Sequence, residues 1–302
     1  KQADALIEGF RPGVMERLGL GPSECARINK QLVFGRATGW GQEGPLSQAV
    51  GHDLNYLAIT GALAMMGPRK GVPSVPLNLI GDYAGGGVYL AMGVLAALLE
   101  AKASGEGQVV DAAMVDGIES MLTHYYGYLA SNRLTLKRES NYFDGGAPWY
   151  GVYETSDGKY ISIAPVERKF YDELLLAMGL DPKAIPDQLD RSTWQTLRLQ
   201  FEAIFRGKTR EQWCQIMAGR DACFAPVLDL SEAPQHPHLA ARRGFEEVDG
   251  VLQPGPAPRF SRTPSAIRQP PPKPGSNTHE ALSAWGFNAN ELQALQKAGV
   301  IR

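Results

Sequence analysis

The sequence reads as an α/β protein: a large domain built on a parallel sheet, followed by a smaller α+β domain. Three observations predict this. Short apolar runs alternate with helical patterns over the first 117 residues, the order that makes parallel strands with helical crossovers. Near residue 150 the texture changes to two alternating strands around Ser156-Asp157-Gly158-Lys159, a hairpin signal. From Gln253 to Pro274 proline dominates, which suits an extended strap. The expected divisions are 1–130 for the large domain, 131–150 for a linker, 151–240 for the small domain, 241–275 for a proline-rich return and 276–302 for a closing helix.

The elements follow in order. Ala3 to Ile7 is apolar enough for a strand, and Arg11-Pro12-Gly13 ends it. Val14 to Leu18 starts a helix with Pro12 near its first turn. Leu32 to Arg36 is a second strand that feeds the glycine-rich loop Thr38-Gly39-Trp40-Gly41-Gln42-Glu43-Gly44-Pro45. In parallel sheets ligands bind beyond the carboxyl ends of strands, where this loop lies. Asp53 to Met66 carries helical spacing. Asp82 occupies a natural N-cap position for a helix over Ala84 to Lys102, apolar on nearly all sides and therefore expected to be central and buried. Val109 to Ala113 is a strand, and Asp116 to Leu129 a second long helix. In the small domain, helices are expected at Arg168–Met178, Trp194–Phe205 and Arg210–Met217, and a last one at Ala289 to Ala298.

Composition narrows the function. The chain has 302 residues, 44% hydrophobic and 21% charged, ordinary for a soluble globular protein. A formal net charge of -2 gives no electrostatic case for nucleic acid or an anionic membrane. The apolar stretch Val88 to Leu99 is too short to span a bilayer. Cys25, Cys214 and Cys223 fit neither a disulfide framework nor a zinc spacing, which points to a reducing cytoplasm, and Cys223 reads as a small buried hydrophobe. Lys1 is not an initiator methionine, and Ala5-Leu6-Ile7 reads like the end of a buried strand, so further sequence is expected ahead of it.

Two segments carry candidate chemistry. Gly51-His52-Asp53-Leu54-Asn55-Tyr56 presents an imidazole, and Ile80-Gly81-Asp82-Tyr83-Ala84-Gly85-Gly86-Gly87 presents a carboxylate about thirty residues later. Both have glycines that let a ligand approach the backbone, which suits proton transfer or attack on a carbonyl. Taken singly, each has a plainer reading: His52 as a helix start, Asp82 as a cap. Glu167 by itself reads as solvated, Arg11 and Arg17 as surface residues, and Met65-Met66 as core. His236 and His238 read as structural, with no carboxylate at ligand spacing.

The combination resembles the family III CoA-transferases (the CaiB/BaiF superfamily), and within them the α-methylacyl-CoA racemase branch. The resemblance runs through Leu6-Ile7-Glu8-Gly9-Phe10-Arg11-Pro12-Gly13, Thr38-Gly39-Trp40-Gly41-Gln42 and Gly51 to Tyr56. It continues in Leu77-Asn78-Leu79-Ile80-Gly81-Asp82, Val109 to Gly117, Asp144-Gly145-Gly146-Ala147-Pro148 and Pro256-Ala257-Pro258-Arg259-Phe260-Ser261. It implies a Rossmann-like large domain, a small α/β domain, an intertwined homodimer and a first βαβ unit ahead of Lys1 that normally supplies part of the CoA site. It implies a role in lipid metabolism: epimerising the α-carbon of 2-methyl-branched acyl-CoA thioesters, with no prosthetic group and with CoA as part of the substrate. His52 and Asp82 would be the two bases, and Glu167 the partner that fixes the His52 ring, from the other subunit if the dimer is intertwined. Gly9, Phe10, Arg11 and Arg17 would bind CoA, as would Gly51, His52, Asp53, Leu54, Asn55 and Tyr56. Backbone N–H groups around Gly85 and Gly86 would stabilise the enolate. Met65 and Met66 would belong to a soft apolar surface for the acyl chain. In the transferases of the family the matching aspartate is a nucleophile, so a transferase using Asp82 is the competing reading. An inactive CoA-binding paralogue is a third. His52 separates the first two, because a transferase has little use for a second base there.

Overall fold

The computed structural model describes residues 2–301; the two terminal residues, which bound the domain ranges given above, lie outside the described residues. The chain divides into two compact units, Lys1–Val227 and Leu228–Arg302.

The first unit opens with a three-stranded sheet in the order β1 (Ala5–Glu8), β2 (Val33–Thr38), β3 (Val109–Ala113). Both pairings are parallel. Parallel strands need long crossovers. Helices α1 (Val14–Arg17) and α2 (Pro22–Ile28) supply the first. The second contains α3 (Asp53–Ile59) and an uninterrupted helix from Leu79 to Ser104, made of a π-helical stretch, Leu79–Val88, running into α4 (Tyr89–Ser104). The α3 pattern extends to Met66 in sequence, but the helix stops at Thr60 because Gly61 takes φ 84°, and only a 3₁₀ turn follows at Leu63–Met65. Likewise the helix expected over Asp116 to Leu129 is two, α5 (Met114–Met121) and α6 (Thr123–Ala130), broken at Leu122.

The Leu79–Ser104 helix corrects a second expectation. It is apolar all round, yet the sheet covers only one face, where Val94, Ala97 and Ala101 pack against Val33. Leu95 is 62% exposed and Leu99 71% exposed, and Val88 and Met92 line the same open side. By length and composition alone this 26-residue helix could cross a membrane, a test that core helices also pass. A sheet of any width buries only the face of a helix that packs on it, so the opposite apolar side stays open here.

An ion network ties β1, β2 and α1 together. Glu8 and Arg36 face each other in register, with Arg36 Nε 2.7 Å from Glu8 Oε1. Arg36 also reaches Glu16 at 2.8 and 3.3 Å. The guanidinium hydrogen-bonded to Glu16 holds that carboxyl below its ordinary value of 4.5.

The second sheet of this unit is antiparallel, in the order β4 (Gly151–Glu154), β5 (Tyr160–Ile163), β6 (Phe224–Val227). Its alternation is the sequence pattern realised: Tyr153, Ile161 and Ile163 point inward while Val152 and Tyr160 point out. Helices α7 (Arg168–Ala177), α8 (Trp194–Phe205) and α9 (Arg210–Met217) cover the inner face. In α8, Trp194, Leu197, Phe201 and Phe205 recur at helical spacing and are all buried. Trp149 and Trp194 both donate their indole N–H to the Gln188 carbonyl at 3.0 Å, so the aromatic core leaves those donors satisfied. Cys223, just before β6, is exposed rather than buried, at a positive φ of 47° that breaks the extended run.

The second unit holds α10 (Pro237–Ala241), a hairpin of β7 (Phe245–Val248) and β8 (Val251–Pro254), then α11 (Thr278–Ala284) and α12 (Ala289–Lys297). The hairpin turns at Asp249-Gly250, a signal the sequence reading passed over.

Two outcomes follow from these cores. Leu174 is fully buried beneath β5, so Leu174→Ala should cost about 2–5 kcal/mol in urea unfolding. Glu16 is held ionised to lower pH in the folded chain than in the unfolded one. Its stabilising contribution is therefore complete above the unfolded value and disappears as pH falls through the folded one. The melting-temperature difference between wild type and Glu16→Gln should accordingly be present at neutral pH and vanish in acid; a difference that persists at pH 2 contradicts it.

Candidate active site

The site begins at the N-terminus of α3. His52 is its N-cap, in extended backbone, with an exposed side chain. The turn is closed twice: the His52 N–H donates to Asn55 Oδ1 at 3.1 Å, and the Asn55 N–H donates to the His52 carbonyl at 2.7 Å. Asp53 follows, 5% exposed. Its Oδ2 accepts the N–H of Gly81 at 2.7 Å and that of Asp82 at 2.9 Å. One buried carboxylate thus fastens the imidazole-bearing segment to the segment that carries Asp82. No hydrogen bond joins the His52 ring to the Asp82 carboxylate among the described residues; the link runs through Asp53.

Asp82 does not cap its helix. The helix starts at Leu79, with Asn78 as N-cap, and Asp82 lies a turn inside, half-buried. Asn78 Nδ2 donates to Asp82 Oδ2 at 3.1 Å, the i, i+4 reach of a helix surface. The π-helical pitch makes the first turn wider than an α-helical one, and such stretches recur at functional sites. Gly85 and Gly86 are buried inside this helix, against Met114 and Ile118, so their N–H groups are not free at a helix end as expected. Gly117 permits the contact: a Cβ there would lie 2.0 Å from the Gly85 carbonyl oxygen. The free first-turn donors nearest His52 are those of α3, at Asp53 and Leu54.

Tyr56 braces the other side. Its hydroxyl donates to the Gly51 carbonyl, and its ring meets Trp40 edge-on, centroids 4.6 Å apart. A Cβ on Gly39 would fall 1.9 Å from the Tyr56 ring, so the loop after β2 closes onto this ring only because residue 39 is glycine. Burial pushes the Tyr56 phenol above 10, and the nearby Asp82 charge adds to the rise.

The remaining candidates separate into four places. Gly9, Phe10, Arg11 and Arg17 are all exposed on the segment after β1. That segment is tied to the loop before Gly51 by Gln48 Nε2, which donates to the Pro12 carbonyl at 3.1 Å. Gly51 is half-buried, and Leu54 and Asn55 are exposed beside His52. Met65 lines two adjoining apolar cavities of about 300 Å³ each, both also walled by Leu122, Tyr125 and Leu134; Met66 lines one of them. Glu167 lies elsewhere. It is the exposed N-cap of α7, next to Cys223, whose thiol is pushed up by partial desolvation of the sulfur within an otherwise exposed residue, and then by Glu167 and Asp221. Within one chain, among the described residues, Glu167 makes no hydrogen bond to His52.

Asn78 and the clamping role of Asp53 escaped the sequence reading. Asn78 carried a signal, four residues ahead of Asp82 on a helix. Asp53 carried none, because its partners are backbone groups 28 and 29 residues away.

A sequence model described as CoA-transferase family III matches residues 1–278. The chain is 38% identical to an alpha-methylacyl-CoA racemase of Mus musculus over 304 residues, which is 99% of this chain and 79% of that one. It is 38% identical to the alpha-methylacyl-CoA racemase of Homo sapiens over 305 residues, 100% of this chain and 79% of that one. Among solved structures, a CaiB/BaiF family protein from Brucella suis superposes with a TM-score of 0.78 at 23% identity, over 94% of this chain and 75% of that one, which is a likeness of fold.

The Asp53 clamp sets an expected outcome. Asp53→Ala leaves the buried Gly81 N–H and the part-buried Asp82 N–H without an acceptor, costing about 1.5–3 kcal/mol in urea unfolding, and should abolish activity. Asp53→Asn keeps a carbonyl acceptor and should recover most of the stability. Gly81→Ala should reproduce the Asp53→Ala loss, because its Cβ would sit 2.6 Å from Asp53 Oδ2.

Proposed function

The chain belongs to CoA-transferase family III, and from that premise we propose that it is an isomerase that inverts the α-carbon of 2-methyl-branched acyl-CoA thioesters. The carrying observation is the Asp53 carboxylate accepting N–H groups from Gly81 and Asp82, which brings the segments of two candidate bases together. The 38% identity to alpha-methylacyl-CoA racemases over nearly the whole chain supports the same choice.

In this reading, the thioester carbonyl acidifies the hydrogen on the α-carbon. The His52 imidazole takes that proton from one face, and the electron pair moves onto the thioester oxygen. Protonated Asp82 returns a proton to the opposite face, and the electron pair falls back to carbon. In the reverse direction the roles exchange. General acid–base transfer gives about 10²–10⁴-fold, so enolate stabilisation must add to it; in this reading the first-turn N–H groups of α3 would supply it. The exposed His52 ring exchanges its proton with water, so turnover carries solvent hydrogen onto carbon.

The acyl chain would lie in the Met65 cavities, whose thioether and aromatic walls tolerate varied hydrocarbon shapes. CoA would follow Gly9 to Arg17. The large domain would be Rossmann-like, and two copies would intertwine in a cytoplasmic homodimer. The open apolar side of the Leu79–Ser104 helix supports a covering copy, and the lack of a hydrogen bond from Glu167 to His52 among the described residues of one chain supports its arrival from that copy. The alternative is a transferase using Asp82 as nucleophile, favoured by the family's description and by the half-exposed carboxylate.

The deciding measurement is deuterium incorporation at the α-carbon of a 2-methylacyl-CoA in heavy water. Wild type should exchange at least 10²-fold faster than His52→Ala or Asp82→Ala. Equal rates sink the isomerase. An Asp82 acyl or CoA adduct trapped with hydroxylamine or borohydride would install the transferase instead.

A further inference from the structure

Among the described residues the Glu8–Arg36–Glu16 network makes no hydrogen bond to His52, Asp53 or Asp82, and nothing in the proton-transfer chemistry uses it. We infer that it is a positioning device for the nucleotide end of CoA. The inference rests on the reading that Gly9 to Arg17 binds CoA.

Arg36 and Glu8 are nearly dry, their side chains 7% and 2% exposed. Ion pairs taken out of water recover little net stability, and well-packed apolar residues often serve as well. Stability alone is a poor account of this one, and its geometry offers a better account. Both Glu8 oxygens are engaged: Oε1 accepts from Arg36 at 2.7 Å, and Oε2 accepts the N–H of Phe10 at 2.7 Å. The chain is therefore bent over Gly9 as it leaves β1. The other two Arg36 nitrogens fork onto Glu16 at 2.8 and 3.3 Å. Glu16 immediately precedes Arg17 on α1. A single guanidinium, itself fixed in β2, thus holds the Gly9–Arg17 segment at both ends.

What it holds is a surface for an anion. Arg11 and Arg17 are exposed, and neither side chain makes a hydrogen bond or ion pair among the described residues. Two free guanidiniums on a segment clamped at both ends suit phosphates, since ordering a long cationic side chain and its loop in advance lowers the cost of binding. The bent turn at Gly9–Phe10 and the helix carrying Arg17 can then keep a constant separation. The network acts through Arg11 and Arg17 and touches no reacting atom.

The test uses CoA itself as the probe, with an acyl-pantetheine thioester, which lacks the nucleotide, as the comparison. In Arg36→Lys and Glu16→Gln, the calorimetric Kd for CoA should rise about tenfold, while α-deuterium exchange of the acyl-pantetheine thioester stays within twofold of wild type. Glu16→Gln guards against a folding failure of the Arg36 variant, because the Glu16 side chain is 43% exposed. A CoA Kd within twofold of wild type in Glu16→Gln overturns the proposal. So does a parallel fall in acyl-pantetheine exchange, which is what a merely structural role would produce. Arg17→Ala separates the two levels of the argument. If it leaves CoA binding unchanged, the segment is not the CoA site and both readings fall. If it weakens CoA and the network variants do not, only the positioning role falls.

Discussion

The arrangement depends on one buried carboxylate. Asp53 spends Oδ2 on two backbone N–H groups, those of Gly81 and Asp82. Such charge-assisted bonds in a water-poor setting are strong and directional. They fix where the Leu79–Ser104 helix begins relative to α3, and with it where the two candidate bases stand. Gly81 is part of the same constraint, because a side chain there would occupy the place of the carboxylate oxygen. Tyr56, one helical turn beyond His52, secures the opposite flank through the Gly51 carbonyl and the Trp40 ring.

The helix that Asp53 anchors is itself unusual. Its first ten residues are π-helical, and the glycines within them bring its backbone against α5 at Gly117. This close approach carries the helix past α5 while leaving Asp82 half-exposed, with Asn78 directing one of its oxygens. A carboxylate so placed can serve either proton transfer or nucleophilic attack. In the proposed isomerase, the histidine next to the clamp is the residue that favours two bases and a planar enolate over attack by Asp82 alone.

Two ionic devices therefore divide the work on the parallel-sheet side. Asp53 orders the segments that carry the proposed bases, and the Arg36 network orders the segment after β1, with Gln48 bonding the second to the loop that leads to the first. The antiparallel sheet is stabilised differently, by aromatic packing around Trp149, Phe201 and Trp213. It contributes a stiff base for Glu167 rather than a group in contact with His52.

Much of this was legible in the sequence. The three parallel strands, the β4–β5 hairpin and helices α7, α8 and α9 follow from local apolar periods and turn residues, which act over a few residues and so are written in the chain directly. The pair His52 and Asp82 was equally visible as residues. The tertiary structure alone decided that Asp53 is a clamp, that Asp82 lies inside its helix rather than at its cap, and that Gly85 and Gly86 are packed rather than free. It also decided that the apolar helix is open on one side. The physical reason is common to all four. Each depends on which backbone group or surface arrives from a distant part of the chain, and no local pattern encodes the arrival.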